Sequence, residues 1–262
     1  MRKPKAEYAI QTVINAMRLL EAFRDEDVLG VTELSRRLAL HKNNVFRLLA
    51  TLEQEGYIEQ CSDSERYRLG VGNLELGQSF ARSRPLLRRA RAVLEDLARS
   101  TAETAHLGAI QDYEVVHLDG IQTERMLMTA LRVGRRLPLH CTALGKVLLG
   151  GSPEEVRQAY DQRSIPEGTL ERRTDSTIVD AQKFFEHLRT VAVRGFAVDI
   201  GECEEGLCCA AAPVFDGDGQ VVAALSVSGP ALRLGEDRLL DQVVPQVVAA
   251  GERLSRDLGY AA

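Results

Sequence analysis

Thr32-Glu-Leu-Ser-Arg-Arg-Leu-Ala-Leu-His-Lys-Asn-Asn-Val-Phe-Arg-Leu-Leu-Ala-Thr-Leu52 is the stretch on which the fold turns. Thr32 is placed to cap a short helix over 33–40 whose inner face carries Leu34 and Leu38. A second helix follows almost at once, from about Lys42 to Glu55, with Val45, Leu48, Leu49 and Leu52 as its buried stripe. Gly56 then supplies the left-handed residue that commonly ends a helix. The face opposite the stripe carries Lys42, Asn43, Asn44 and Arg47 at the leading end. A short helix, a tight turn and a second helix led by polar side chains form a helix-turn-helix, whose second helix enters a major groove by its N-terminal turns. Asparagine bonds adenine and arginine bonds guanine in bidentate fashion there. His41 and Lys42 stand at the helix start, where phosphates would pass.

Working outward, Ala9 to Phe23 precedes this stretch with Val13, Met17, Leu20 and Phe23 at helical spacing. Downstream, Tyr57-Ile-Glu-Gln60 and Arg66-Tyr-Arg-Leu69 flank a polar turn, which reads as a hairpin. Arg66 and Arg68 share one face of their strand by its period of two, and point toward a minor groove or a phosphate backbone. Three helices and a hairpin make a winged helix-turn-helix, expected over residues 1–76. From about Leu74 to Ser100 the pattern is helical, interrupted at Pro85, with Leu86, Ala90, Val93, Leu94 and Leu97 on one stripe. We read 77–100 as a linker helix and a natural dimer contact.

From Thr104 the texture changes. Strands are expected over 104–110, 113–119, 126–133, 195–199, 208–215 and 221–228, and helices over 143–149, 153–160, 177–194 and 236–257. Asp216-Gly-Asp-Gly219 joins the last two strands as a hairpin. Mixed strands closed by a terminal helix predict an α+β domain over 101–262, with helices packed on an antiparallel sheet.

The bulk numbers bound the possibilities. The 262 residues carry a net charge of -5, with 5% aromatics and no tryptophan. So few aromatics argue against a stacking platform for single-stranded nucleic acid. Residues 1–84 hold 13 basic and 12 acidic side chains, net +1, leaving 20 and 26, net -6, for 85–262. A neutral reader beside an acidic effector region is compatible with DNA binding, because phosphates are met one at a time. Met1 to Glu7 is polar, no apolar segment of signal-peptide kind follows, and no apolar run is long enough to span a bilayer. Five cysteines at irregular spacing (61, 141, 203, 208 and 209) read as reduced cytoplasmic thiols.

A candidate pocket emerges from the second half. Ser226 and Ser228 lie two apart on one strand and share a face, while Leu225 and Val227 face the other way. Cys209 falls on the neighbouring strand, and Asp199 ends a third. Thr142-Ala-Leu-Gly145 opens a helix whose free N–H groups favour an anion. A carboxylate at Ala143 and Leu144, held also by Ser226 and Ser228, would suit that arrangement.

Other readings stand beside these. The polar faces serve equally as solvated surface, the serines as partners for backbone or water, and Cys209 as a buried thiol. Winged helices also mediate protein contacts, so a ligand-gated adaptor without specific DNA binding is the alternative. Cys209 with His117 or His140 can be drawn as a nucleophile pair, and His140, Cys141, Cys203, Cys208 and Cys209 as a zinc site. Neither has a supporting local motif, and there is no phosphate-binding loop or dinucleotide fingerprint.

Three segments then carry a likeness. Ile14-Asn-Ala-Met-Arg-Leu-Leu-Glu-Ala-Phe23, Thr32 to Leu38 and Val45 to Leu52 with Gly56-Tyr57 resemble the IclR family of transcriptional regulators. In the other half, so do Arg136 to Lys146, Gly195-Phe-Ala-Val-Asp199 followed by Glu202, Gly206, Cys209 and Ala211-Ala-Pro-Val214, and Ala223 to Pro230. The resemblance implies a GAF-like effector domain, homodimers often pairing into tetramers, operator DNA as partner and control of catabolic operons. It implies no enzyme activity, cofactor or metal. It carries ligand contacts to Ala143, Leu144, Asp199, Cys209, Ser226 and Ser228, and so a small organic acid or related metabolite as effector. Asn43-Asn44 departs from the family pattern, where Ser or Thr is more common, which bears on the operator sequence.

Overall fold

A computed structural model describes residues 8–123 and 130–261. The chain divides into two compact units between Arg84 and Pro85.

The N-terminal unit runs α1 (Gln11–Glu21), β1 (Leu29–Gly30), α2 (Val31–Leu38), α3 (Lys42–Gln54), β2 (Ile58–Gln60), β3 (Arg66–Leu69) and α4 (Val71–Ser83). Leu19, Phe23, Leu34, Leu38, Val45, Leu49, Leu52, Ile58 and Tyr67 close one core. The apolar stripe of α1 differs from expectation. Leu19 and Phe23 are buried, but Val13 and Met17 are half exposed, at 50% and 54%. This helix has apolar residues on two faces, and periodicity alone does not say which one the fold covers. The cap of α2 also moves. Gly30, not Thr32, precedes its first turn, and the Glu33 carboxylate accepts the Gly30 N–H at 2.9 Å. Gly56 has φ +77, as the end of α3 requires. A two-residue strand, β1, pairs with β3 and makes the hairpin a three-stranded sheet. No buried residue lies on α4.

Arg84 adopts an extended conformation between α4 and α5 (Pro85–Thr101), so the stretch expected as a linker is two helices. Leu87, Ala90, Val93, Leu94, Leu97 and Ala98 of α5 are buried in the core of the C-terminal unit. That unit is a six-stranded antiparallel sheet in the order β6 (Arg136–Pro138), β5 (Glu114–Ile121), β4 (Thr104–Gln111), β9 (Val221–Pro230), β8 (Leu207–Phe215) and β7 (Ala197–Ile200). Helices cover both faces. On one lie α5 and α9 (Val244–Asp257), which packs on β8. On the other lie α6 (Ala143–Gly150), α7 (Glu154–Ser164) and α8 (Ala181–Arg194).

The expected strand over 126–133 lies outside the described residues except for 130–133, which are not strand. Three-residue β6 escaped notice because three residues are too few to show a strand's alternation. Asp180 rather than Thr177 starts α8, accepting the Lys183 N–H at 2.8 Å. The terminal helix contains a π-turn over Leu239–Val243 just before Pro245. Proline has no N–H to give and crowds the carbonyl four residues back, and a widened turn accommodates both defects. The last hairpin forms as expected: Asp216 Oδ1 accepts the N–H groups of Asp218 and Gln220 at 3.0 and 2.9 Å, and Gly219 has φ +75.

Candidate functional site

In the N-terminal unit, burial of Val45, Leu49 and Leu52 turns the other face of α3 outward. His41, Lys42, Asn43, Asn44 and Arg47 are all exposed, as is Thr32 on α2. His41 is the residue preceding the helix and its carbonyl accepts from Asn44 and Val45 N–H groups, while its side chain makes no cap bond. Asn44 and Arg47 line a groove with Thr12 and Asn15 of α1. A second groove, between α2, α3 and the hairpin, is lined by Thr32, Phe46, Gln60 and Arg66. Phe46 is 57% exposed there and was missed by the sequence reading. An aromatic ring next to the buried Val45 on a helix reads as core, and only the fold shows it facing out.

The two hairpin arginines are exposed on one side of β3, with Tyr67 buried between them. Both already have partners. Arg66 donates to the Val28 carbonyl at 2.7 Å and pairs with Glu33 at 3.1 Å, so it ties the hairpin to α2. Arg68 pairs with Glu59 across the hairpin. Exposed pairs of this kind are weak, so either arginine can exchange its carboxylate for a phosphate at small cost. Lys42 and Arg47 enter no ion pair among the described residues.

In the C-terminal unit the strand register builds a polar row across the sheet. Asp199 on β7 pairs with Cys209 on β8, Cys209 with Ser228 on β9, and Ser228 with Thr104 on β4. Two residues along, Ala211 pairs with Ser226 and Ser226 with His106. Since strand side chains alternate, these groups share the face beneath α6. Ala143, Leu144, Asp199, Cys209, Ser226 and Ser228, the six residues the sequence reading singled out, line one cavity. Its unfilled volume, counting the solvent-open mouth, is about 340 Å³. Asp199 and Ser226 are 1% and 2% exposed, Ser228 and Cys209 7% and 8%.

The start of α6 is set by two contacts. Thr142 Oγ1 accepts the Gly145 N–H at 3.1 Å and donates to the Pro138 carbonyl at 2.8 Å. A Cβ on Gly145 would stand 2.3 Å from the Leu139 carbonyl oxygen, so only glycine lets the first turn settle this close. The helix is held from below by Lys146, wholly buried, which donates to the Val198 carbonyl at 2.8 Å and pairs with Glu202. The amides of the first turn are left toward the cavity end, where helix geometry favours an anion.

Asp199 is the unusual acid. Burial lifts its pKa to about 7, against the opposing pull of the Glu202 amide and the Lys146 ammonium. Its Oδ1 accepts the N–H groups of Glu202 at 2.7 Å and Cys203 at 3.3 Å. Burial likewise pushes the Cys209 thiol well above its ordinary range, with a hydrogen bond to Ser228 in opposition. That thiol is a poor source of thiolate, which weighs against the nucleophile pair. Of the cysteines and histidine drawn as a zinc site, His140 bonds the Glu171 carbonyl at 2.8 Å, Cys141 and Cys203 share a hydrogen bond, and Cys208 faces the opposite core from Cys209. Among the described residues, no three such side chains converge. The cavity also includes His117, Arg132, Leu137, Thr142, Cys203 and Leu207. Thr142 belongs to the helix opening read from the sequence; the other five were not foreseen as pocket residues, because they come from separate segments and no local pattern joins them.

Comparison with known proteins meets both halves. Residues 12–62 match the model of the IclR helix-turn-helix domain, and residues 78–256 that of the bacterial transcriptional regulator IclR C-terminal domain. The chain is 37% identical to the HTH-type transcriptional regulator KdgR of Escherichia coli over 254 residues, covering 96% of this chain and 94% of that one. It is 34% identical to the HTH-type transcriptional regulator XynR of the same species, covering 97% and 99%. The crystal structure of an IclR transcriptional regulator from Alicyclobacillus acidocaldarius superposes with a TM-score of 0.84 at 25% identity, over 96% of this chain and 98% of that one. A helix-turn-helix with its polar face open, a sheet-borne cavity under a helix N-terminus, and likeness to regulators along nearly the whole length agree: the chain belongs to the IclR family of DNA-binding transcriptional regulators.

Proposed function

We propose that this protein, as a homodimer, binds a near-palindromic operator through α3 and changes its operator affinity when a small organic acid occupies the cavity beneath α6. The observation that carries the reading is the joining of six separated residues, Ala143, Leu144, Asp199, Cys209, Ser226 and Ser228, around one cavity that opens to solvent. The acid's carboxylate takes the α6 amides and the two serine hydroxyls. Asn43, Asn44 and Arg47 read base edges, His41, Lys42 and Arg68 meet phosphates, and Arg66 and Thr32 sit at the hairpin side of the contact. The dimer reading is supported by apolar side chains that no part of the N-terminal unit covers: Ile10, Val13 and Met17 around α1, and Leu74, Leu76 and Phe80 on α4. The protein works by binding, without catalysis, in the cytoplasm where its operator is found.

A mobility-shift assay on the promoter region beside its own gene tests this. Binding should be sequence-specific and weaken steeply with salt. Arg47→Ala should weaken it by about 1–3 kcal/mol, roughly 5- to 150-fold, with the melting temperature unchanged. An unaltered operator affinity in that variant would remove α3 from the contact.

A further inference from the structure

Phe46 is an apolar ring with no place in the core of the N-terminal unit. That core takes Val45, Leu49 and Leu52 from α3 and leaves Phe46 57% exposed. One exposed apolar side chain is ordinary on a protein surface. What distinguishes this one is its company. Residues three and four apart are neighbours on a helix, so Asn43, Phe46, Arg47 and Ala50 form one patch on the outward side of α3, and all four are exposed. The same spacing, i, i+3, i+4 and i+7, marks the base-reading positions on the recognition helix of a homeodomain.

Half of this patch is polar and half apolar. Asn43 and Arg47 have hydrogen-bonding groups to offer a base edge. Phe46 and Ala50 have none. Base pairs present donors, acceptors and a single kind of apolar group to the major groove, the 5-methyl of thymine. An apolar side chain gains from that methyl. Laid on any other edge it strips water from polar groups and returns no hydrogen bond. A phosphate offers the ring no better contact. The charged side chains lining the groove beside Phe46 are Glu33, Glu65 and Arg66, two acids against one cation, which draws no anion toward the ring.

We propose that α3 recognises thymine by its 5-methyl group, through the Phe46 ring and the Ala50 methyl, so that an operator half-site carries at least one thymine whose methyl the protein requires. This rests on the binding of α3 to a duplex proposed above, and adds the base feature that is recognised and the residues that recognise it.

Replacing thymine by deoxyuridine removes this methyl and leaves every hydrogen-bonding group of the base pair in place. The probe is a duplex from the promoter region beside the gene, narrowed by nuclease footprinting, with each thymine of one half-site replaced in turn. Full-length protein is titrated against each duplex by mobility shift. At one or two positions the replacement should weaken binding about threefold or more, the worth of one buried methyl-sized group. At one of these positions Phe46→Ala should bind the thymine and deoxyuridine duplexes alike. Phe46→Leu, which keeps an apolar side chain, should retain part of the difference. Both variants should melt as the parent does, since the ring lies outside the core. Arg47→Ala should weaken both duplexes and leave the difference between them. If no replacement matters, or Phe46→Ala keeps the full preference, methyl recognition is overturned, while specific binding that weakens with Arg47→Ala still places α3 in the groove. If no promoter duplex is bound specifically, both readings fall together.

Discussion

Asp199 shows how one side chain links the cavity to pH. Its folded-state pKa of about 7 lies above the ordinary 3.8, so the native protein holds this proton more tightly than the unfolded chain does. Its contribution is therefore fully favourable below about 4, and declines as pH rises through 7. Deprotonation also places a negative charge among Glu202, Lys146 and Cys203, in the cavity proposed to receive an anion. Affinity for a monocarboxylate should fall above pH 7, approaching about tenfold per pH unit where only the protonated form binds. Asp199→Asn, which retains an acceptor for the Glu202 and Cys203 amides, should flatten that dependence in a titration series from pH 6 to about 8.5. A wild-type affinity that stays level across this range would exclude Asp199 as the controlling group. At this scale the sequence was informative about which residues gather, since period-two spacing put Ser226 and Ser228 on one face. It could not disclose that Asp199 keeps its proton, because burial is a property of the closed fold.

The element on which most depends is α6. Its apolar residues, its glycine and its buried lysine all serve to hold one N-terminal turn at a fixed height over the sheet. Lys146→Met removes the partner of Glu202 and leaves a carboxylate 13% exposed with no opposing charge. Loss of one member of a buried pair costs about 3–5 kcal/mol. Chemical denaturation should register a loss of that order, and the double change Lys146→Met with Glu202→Met should recover a large part of it. A single-variant loss below about 1 kcal/mol, in the range of an exposed pair, would contradict this account. The elements were mostly readable in advance where their pattern was long: α3, α5, β8 and β9 stand within a few residues of where periodicity put them. The short ones were not. β1 and β6 have two and three residues, and the cap of α2 is a glycine served by a glutamate from inside the helix. In α1 both faces look inward-facing until the fold chooses Leu19 and Phe23.

For the molecule as a whole, the division at Arg84 predicts separable functions. The C-terminal unit has its own two-sided core, with α5 packed into it. A protein comprising residues 85–262 should fold, show a cooperative melt and keep its thermal-shift response to the effector, while losing operator binding. A truncated protein with no melting transition would mean that this core depends on the N-terminal unit. The sheet edges add a final consequence. On one side stands β6, three residues long and ending in Pro138. On the other stands β7, four residues long, with its Val198 carbonyl already taken by Lys146. Among the described residues, neither border of this sheet offers a long row of unmet amides for a strand from another copy to zip onto, a feature that guards natural sheets against fibre-like aggregation. A copy that meets this sheet at its borders finds side chains there rather than a strand's open backbone.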